Sequence, residues 1–151
     1  MAMPNGALRT KKIVVVEADE DFLHLIQMTL ADCGADVLAA SRGYDALALI
    51  DACRPDAVII DLALPDMNGW EIFIRLRDGG SVKPAPPVII LADEGTRLDR
   101  TFSLQVAQVH DYQMKPFLPS QLRKSVTEAL RLSAISETPV TAARQAKKDH
   151  D

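Results

Sequence analysis

The chain has 151 residues, 48% of them hydrophobic and 25% charged, with a formal net charge of -4. That is the size and balance of one ordinary soluble domain with a real core, and it supplies no basic field for direct nucleic-acid binding. No apolar run approaches membrane-spanning length and no signal-peptide-like apolar segment opens the chain, so the expected setting is cytoplasmic and off the membrane. Cys33 and Cys53 fit no metal or redox spacing and fall in apolar helical context, which reads as free thiols in a reducing compartment.

Residues 1–10 have no periodicity and read as a flexible leader. Lys12 to Val16 is a β-branched run, the first strand, and it ends in the acids Glu17, Asp19, Glu20 and Asp21. Phe22, Leu25, Ile26, Thr29, Leu30 and Cys33 recur at helical spacing, with acids at the helix start and Gly34 as a left-handed stop. Asp36 to Ala40 is a second strand. Ala46, Leu47, Leu49 and Ile50 mark a second helix that ends before Pro55. Ala57 to Ile60 is a third strand, reaching the protein edge at Asp61. A Pro65, Asn68 and Gly69 loop follows, then a third helix carrying Trp70, Ile72, Phe73 and Leu76. Three prolines between Ser81 and Pro87 require a loop. Val88 to Leu91 is a fourth strand, and Leu98, Phe102, Gln105 and Val106 suggest a weaker fourth helix. Tyr112 to Met114 is a short fifth strand. Pro119 suits the first turn of a last helix with Leu122, Val126, Ala129, Leu130 and Leu132 on its buried face. The folded domain is thus expected over 11–132. A polar tail over 133–151 is either disordered or an extension of the last helix.

Strands that alternate with helices call for a parallel sheet covered on both faces. No G-x-G-x-x-G follows the first strand and no phosphate-loop motif occurs anywhere, which removes the usual support for nucleotide binding. The expected fold class is therefore α/β, a flavodoxin-like (βα)5 three-layer sandwich with a five-stranded parallel sheet of order 2-1-3-4-5.

In such sheets the chemistry lies beyond the carboxyl ends of the strands. There the chain places Glu17 and Asp19, Asp61 with the Ala63 carbonyl, Ala92 and Asp93, and Lys115-Pro116-Phe117. Carboxylates beside a carbonyl suit Mg²⁺, and a lysine beside them suits a dianionic phosphoryl group. A carboxylate flanked by a hard cation and a lysine can attack phosphorus to give an acyl phosphate. A structural lysine neutralising an acidic edge is the plainer alternative.

The runs Ile13-Val14-Val15-Val16-Glu17, Asp61-Leu62-Ala63-Leu64-Pro65-Asp66-Met67-Asn68-Gly69, Pro87-Val88-Ile89-Ile90-Leu91 and Asp111-Tyr112-Gln113-Met114-Lys115-Pro116-Phe117 resemble the receiver domains of two-component response regulators. The resemblance spans about Lys12 to Leu132. It implies that Asp61 is the phosphoacceptor, that Lys115 contacts the phosphoryl group and that Tyr112 is the aromatic switch residue. It also implies a Mg²⁺ site built from Glu17, Asp61 and the Ala63 carbonyl, and a phosphodonor histidine on a partner kinase or phosphotransfer protein. His24, His110 and His150 need play no part in that transfer.

Three departures from the family pattern bear on phosphorylation. Ala18 stands where a second acid usually binds the metal. Asp19 is adjacent, but its strand phase or a helix-cap role can aim it elsewhere. Ala92, followed by Asp93, stands where a Ser or Thr usually meets the phosphoryl group, and Gln108 stands where a glycine usually ends the fourth helix. The resulting reading is a stand-alone receiver with weak Mg²⁺ binding and impaired switching. Its downstream protein partner would dock on the fourth helix, fifth strand and last helix, with homodimerisation left open. The chain would be no independent enzyme beyond self-catalysed phosphoryl transfer to Asp61 and its hydrolysis. The alternative is a pseudo-receiver that docks partners without phosphorylation.

Overall fold

The computed structural model describes residues 6, 8–80, 82–94 and 109–137, with side chains as far as Leu132. The described elements are β1 (Lys12–Val16), α1 (Glu20–Ala31), β2 (Asp36–Ala40), α2 (Gly43–Cys53), β3 (Ala57–Asp61), α3 (Gly69–Asp78), β4 (Val88–Ala92), β5 (Asp111–Met114) and α4 (Pro119–Glu137). The strands form one parallel sheet in the order β2-β1-β3-β4-β5. This is the flavodoxin-like arrangement expected from the sequence. The expected helix at Leu98, Phe102, Gln105 and Val106 lies outside the described residues, as do Gln108 and the tail beyond 137.

The central strands β3 and β4 are buried at every position, because both faces of the sheet are covered. Alternation of side chains divides the core in two. Val14, Val16, Val58, Ile60 and Ile90 pack against Ala46 and Ile50 of α2 and Ile72, Phe73 and Leu76 of α3. Ile13, Val15, Ile59, Ile89 and Leu91 pack against Ile26 and Leu30 of α1 and Leu122, Val126 and Leu130 of α4. Each such Val, Ile or Leu contributes roughly 1.5–3 kcal/mol by leaving water.

The helix ends follow from local chemistry. Asp19 Oδ1 accepts the N–H groups of Asp21 and Phe22 at 2.9 and 3.1 Å and so caps α1. Gly34 adopts φ +90°, the left-handed turn that stops this helix. Asn68 Oδ1 accepts the Trp70 N–H at 2.8 Å and starts α3. One segment departs from expectation. The leader is pinned at its end, where Leu8 is 1% exposed within the α1–α4 core layer and donates its N–H to the Cys33 carbonyl at 2.8 Å. An isolated leucine beside Arg9, Thr10, Lys11 and Lys12 carries no periodic signal; burying its side chain supplies the anchoring energy.

Among the described residues, no helix is long and apolar enough to cross a membrane.

Candidate functional site

The sheet brings its carboxyl edge together by extending the ladder past the strands. Glu17 N–H bonds the Ala40 carbonyl at 3.1 Å, Leu62 N–H the Leu91 carbonyl at 3.1 Å, and Lys115 N–H the Ala92 carbonyl at 2.7 Å. Three charged side chains converge there. Lys115 Nζ lies 2.9 Å from Asp61 Oδ2 and 2.7 Å from Glu17 Oε2. The Asp61 contact is a directed hydrogen bond, whereas the Glu17 contact is ionic and off hydrogen-bond geometry. All three side chains are nearly sealed, at 0% exposure for Glu17, 5% for Asp61 and 8% for Lys115.

Two acids against one base leave the cluster one negative charge in excess. Burial raises the Glu17 carboxyl to about 7, and the neighbouring Asp61 adds to the rise; Lys115 and the Asp19 N–H oppose it and lose. For Lys115, burial pulls downward, but its close contacts with the Glu17 and Asp61 carboxylates outweigh that and hold the ammonium above the ordinary lysine value.

Asp61 is further oriented by the Ala63 N–H, which reaches its Oδ1 at 3.2 Å. Ala63 bridges back to Asn68, and Gly69 N–H bonds the Leu62 carbonyl at 3.0 Å, so the loop folds tightly over the strand end. Gly69 is required by this close approach. A Cβ there would lie 2.9 Å from Leu62 Cα and from Ile60 Cγ2 and would also collide with the Asp61 carbonyl.

A sealed Asp–Lys pair at the end of the central strand of a 2-1-3-4-5 sheet agrees with comparison to known proteins. Residues 13–127 match the family model described as response regulator receiver domain. The chain belongs to this family.

It is similar to the alkaline phosphatase synthesis transcriptional regulatory protein PhoP of Bacillus subtilis, at 33% identity over 83% of this chain and 51% of that protein. It is also similar to the DNA-binding response regulator MtrA of Mycolicibacterium smegmatis, at 32% identity over 80% of this chain and 51% of that one. The chain thus spans about half the length of these curated relatives. Among solved structures it is similar to the chemotaxis response regulator CheY4 of Vibrio cholerae, with TM-score 0.69 and 27% identity over 80% of this chain and 98% of that one. The BeF3-activated N-terminal receiver domain of RstA from Klebsiella pneumoniae gives TM-score 0.67 and 29% identity, again over 80% and 98%.

The remaining sequence-predicted residues of this receiver fall into two groups. Of the metal candidates, Ala18 is exposed and contributes no side-chain donor, and Asp19 directs Oδ1 at the start of α1. No group of three or more His, Cys, Asp or Glu side chains converges to hold a metal ion among the described residues. Glu17, Asp61 and the Ala63 carbonyl are hard oxygen donors, so the set suits a hard cation in kind. Of the switch candidates, Ala92 and Tyr112 share one packed layer, at 0% and 2% exposure, while Asp93 is half-buried.

Two contacts were not read from the sequence. The Phe22 ring lies 4.4 Å from Lys115 Nζ, a cation–π contact, and is paired with Phe117 at 6.0 Å. Asp66 bonds the start of α2, accepting from the Gly43 and Tyr44 N–H groups. The adjacency of Phe117 to Lys115-Pro116 was the available sign of an aromatic wall; nothing in the local pattern indicated Asp66.

Proposed function

We propose that this receiver accepts a phosphoryl group on Asp61 from the phosphohistidine of a sensor kinase or phosphotransfer protein, with weak Mg²⁺ binding and a switch poorly coupled to phosphorylation. The observation that carries the acceptor role is the 2.9 Å contact of Lys115 Nζ with Asp61 Oδ2 in a nearly sealed site. An Asp61 oxygen attacks phosphorus, the P–N bond to the donor imidazole breaks, and its electron pair leaves with the imidazole nitrogen. Lys115, already beside the carboxylate, offers N–H donors to the phosphoryl oxygens. The Ala63 N–H holds the carboxylate in orientation. Glu17, Asp61 and the Ala63 carbonyl would hold Mg²⁺, which supplies charge neutralisation for the phosphoryl oxygens when bound.

Ala18 removes one direct ligand and Ala92 one hydroxyl donor. Each loss takes roughly 1–3 kcal/mol from the phosphorylated state, against about 5.5 kcal/mol needed to turn a two-state equilibrium from 1:99 to 99:1. Tyr112 is buried in the unmodified protein, which supports a switch face formed by β5 and α4 that is available to a partner without a signal. The same observation favours a second reading, a pseudo-receiver that docks partners irrespective of Asp61.

Incubation with a small phosphodonor and Mg²⁺, read by intact mass, tests the acceptor role. One added phosphoryl group, absent in Asp61→Asn, is the expected result; no addition in the wild type refutes the reading. Equal partner affinity for wild-type, phosphorylated and Asp61→Asn protein favours the pseudo-receiver.

A further inference from the structure

The loop that carries the Ala63 backbone is held from outside the acidic cluster. Asp66 Oδ1 accepts the Gly43 N–H at 2.7 Å and Oδ2 accepts the Tyr44 N–H at 3.0 Å. These residues open α2, whose own N-cap residue, Arg42, makes no side-chain capping bond. A carboxylate from a different loop therefore satisfies the N–H groups that a helix start leaves open. Burial of the next residue reinforces the joint. The Met67 side chain fills the space beside Gly43, where a Cβ would lie 2.5 Å from its sulfur.

The same short loop is fixed at its other end by the Asn68 cap on α3 and by the Ala63–Asn68 bridge. Between these anchors, Ala63 donates to Asp61 Oδ1 at 3.2 Å. We propose that Asp66 is a positioning residue: by tying the β3–α3 loop to α2, it holds the Ala63 N–H where that group orients the Asp61 carboxylate. The proposal deepens the reading of Asp61 as phosphoacceptor and rests on it for the effect on rate. If Asp66 were only a helix cap, its loss would weaken α2 and leave Ala63 and Asp61 untouched.

Asp66→Ala and Asp66→Asn in the full chain separate these roles through two readouts. The first is the ¹H–¹⁵N position of the Ala63 amide beside those of Gly43 and Tyr44. The second is the rate of Asp61 acyl-phosphate formation from acetyl phosphate with Mg²⁺. In Asp66→Ala the Ala63 amide moves together with Gly43 and Tyr44, and the rate falls about tenfold, the scale of a sub-ångström misplacement of a reacting group. Asp66→Asn keeps one accepting oxygen and restores both readouts in part. An unmoved Ala63 amide, or a wild-type rate in Asp66→Ala with the Gly43 and Tyr44 amides displaced, overturns the proposal. If the wild type takes no phosphoryl group, the acceptor reading fails, and the Ala63 amide alone decides the positioning role. If Asp66→Ala does not fold, the same two readouts on Asp66→Asn decide between the roles in the same way.

Discussion

Replacing Glu17 by Gln should change how stability depends on pH, in a direction fixed by the buried cluster. The Glu17 carboxyl is fully buried and titrates at about 7, against 4.5 for the unperturbed group. Its folded pKa is raised, so the native state holds this proton more tightly than the unfolded chain does. The contribution is fully present below the unfolded value and is lost as pH rises through the folded one. The gap between the two pKa values corresponds to on the order of 3 kcal/mol, lost mostly between pH 5 and 7. Glutamine cannot ionise and loses nothing in that window. The stability of Glu17→Gln relative to wild type should therefore rise by that amount between pH 4.5 and 8, whatever the pH-independent cost of the substitution. Urea unfolding of both proteins at several pH values, with a chelator present and ionic strength constant, measures the difference. A difference that stays flat refutes the reasoning. So does one that shifts toward the wild type as pH rises, which would show that the Lys115 ion pair outweighs burial of the Glu17 charge.

The other predictions are simpler. Ala18→Asp should tighten Mg²⁺ binding, followed by Trp70 fluorescence; equal affinity would mean that another group already fills the place of the missing ligand. Gly69→Ala should destabilise the fold by roughly 1–3 kcal/mol through overpacking, since its Cβ would press on the β3 backbone; an unchanged urea midpoint would show that α3 can shift away freely. Leu8→Ala should cost about 2–4 kcal/mol in the same assay, because the side chain is 1% exposed in the α1–α4 layer; a loss within a few tenths would mean that this anchor carries no weight.

Much of this architecture was legible because burial and backbone geometry leave a local trace. Val58-Ile59-Ile60 is apolar at every position since β3 is covered on both sides, and Asp61 marks where that cover ends. Gly34 sits at φ +90°, as its place after the α1 periodicity required. The bounds of β1 and β2 were readable to the residue, and those of β3, β4 and β5 to one residue. The end of the leader was not readable. Leu8 is held by Cys33 and a core layer assembled from distant segments, and neither leaves a mark on its sequence neighbours.

By itself, then, the sequence determined the order of the described elements, the sheet class and the set of residues delivered to the carboxyl edge, because period and strand termination are properties of contiguous residues. Only the tertiary structure decided which of those residues touch. Lys115 meets Asp61 across 54 positions of chain and Glu17 across a longer span, while Asp66 reaches from the β3–α3 loop to the start of α2. Such contacts depend on strand order and register, and a helix start accepts any carboxylate that packing brings within reach. The Glu17 carboxyl belongs to the same class of property. The sequence placed Glu17 at the carboxyl edge, but only the fold seals it beside Asp61, and desolvation then pushes its carboxyl up into the neutral range.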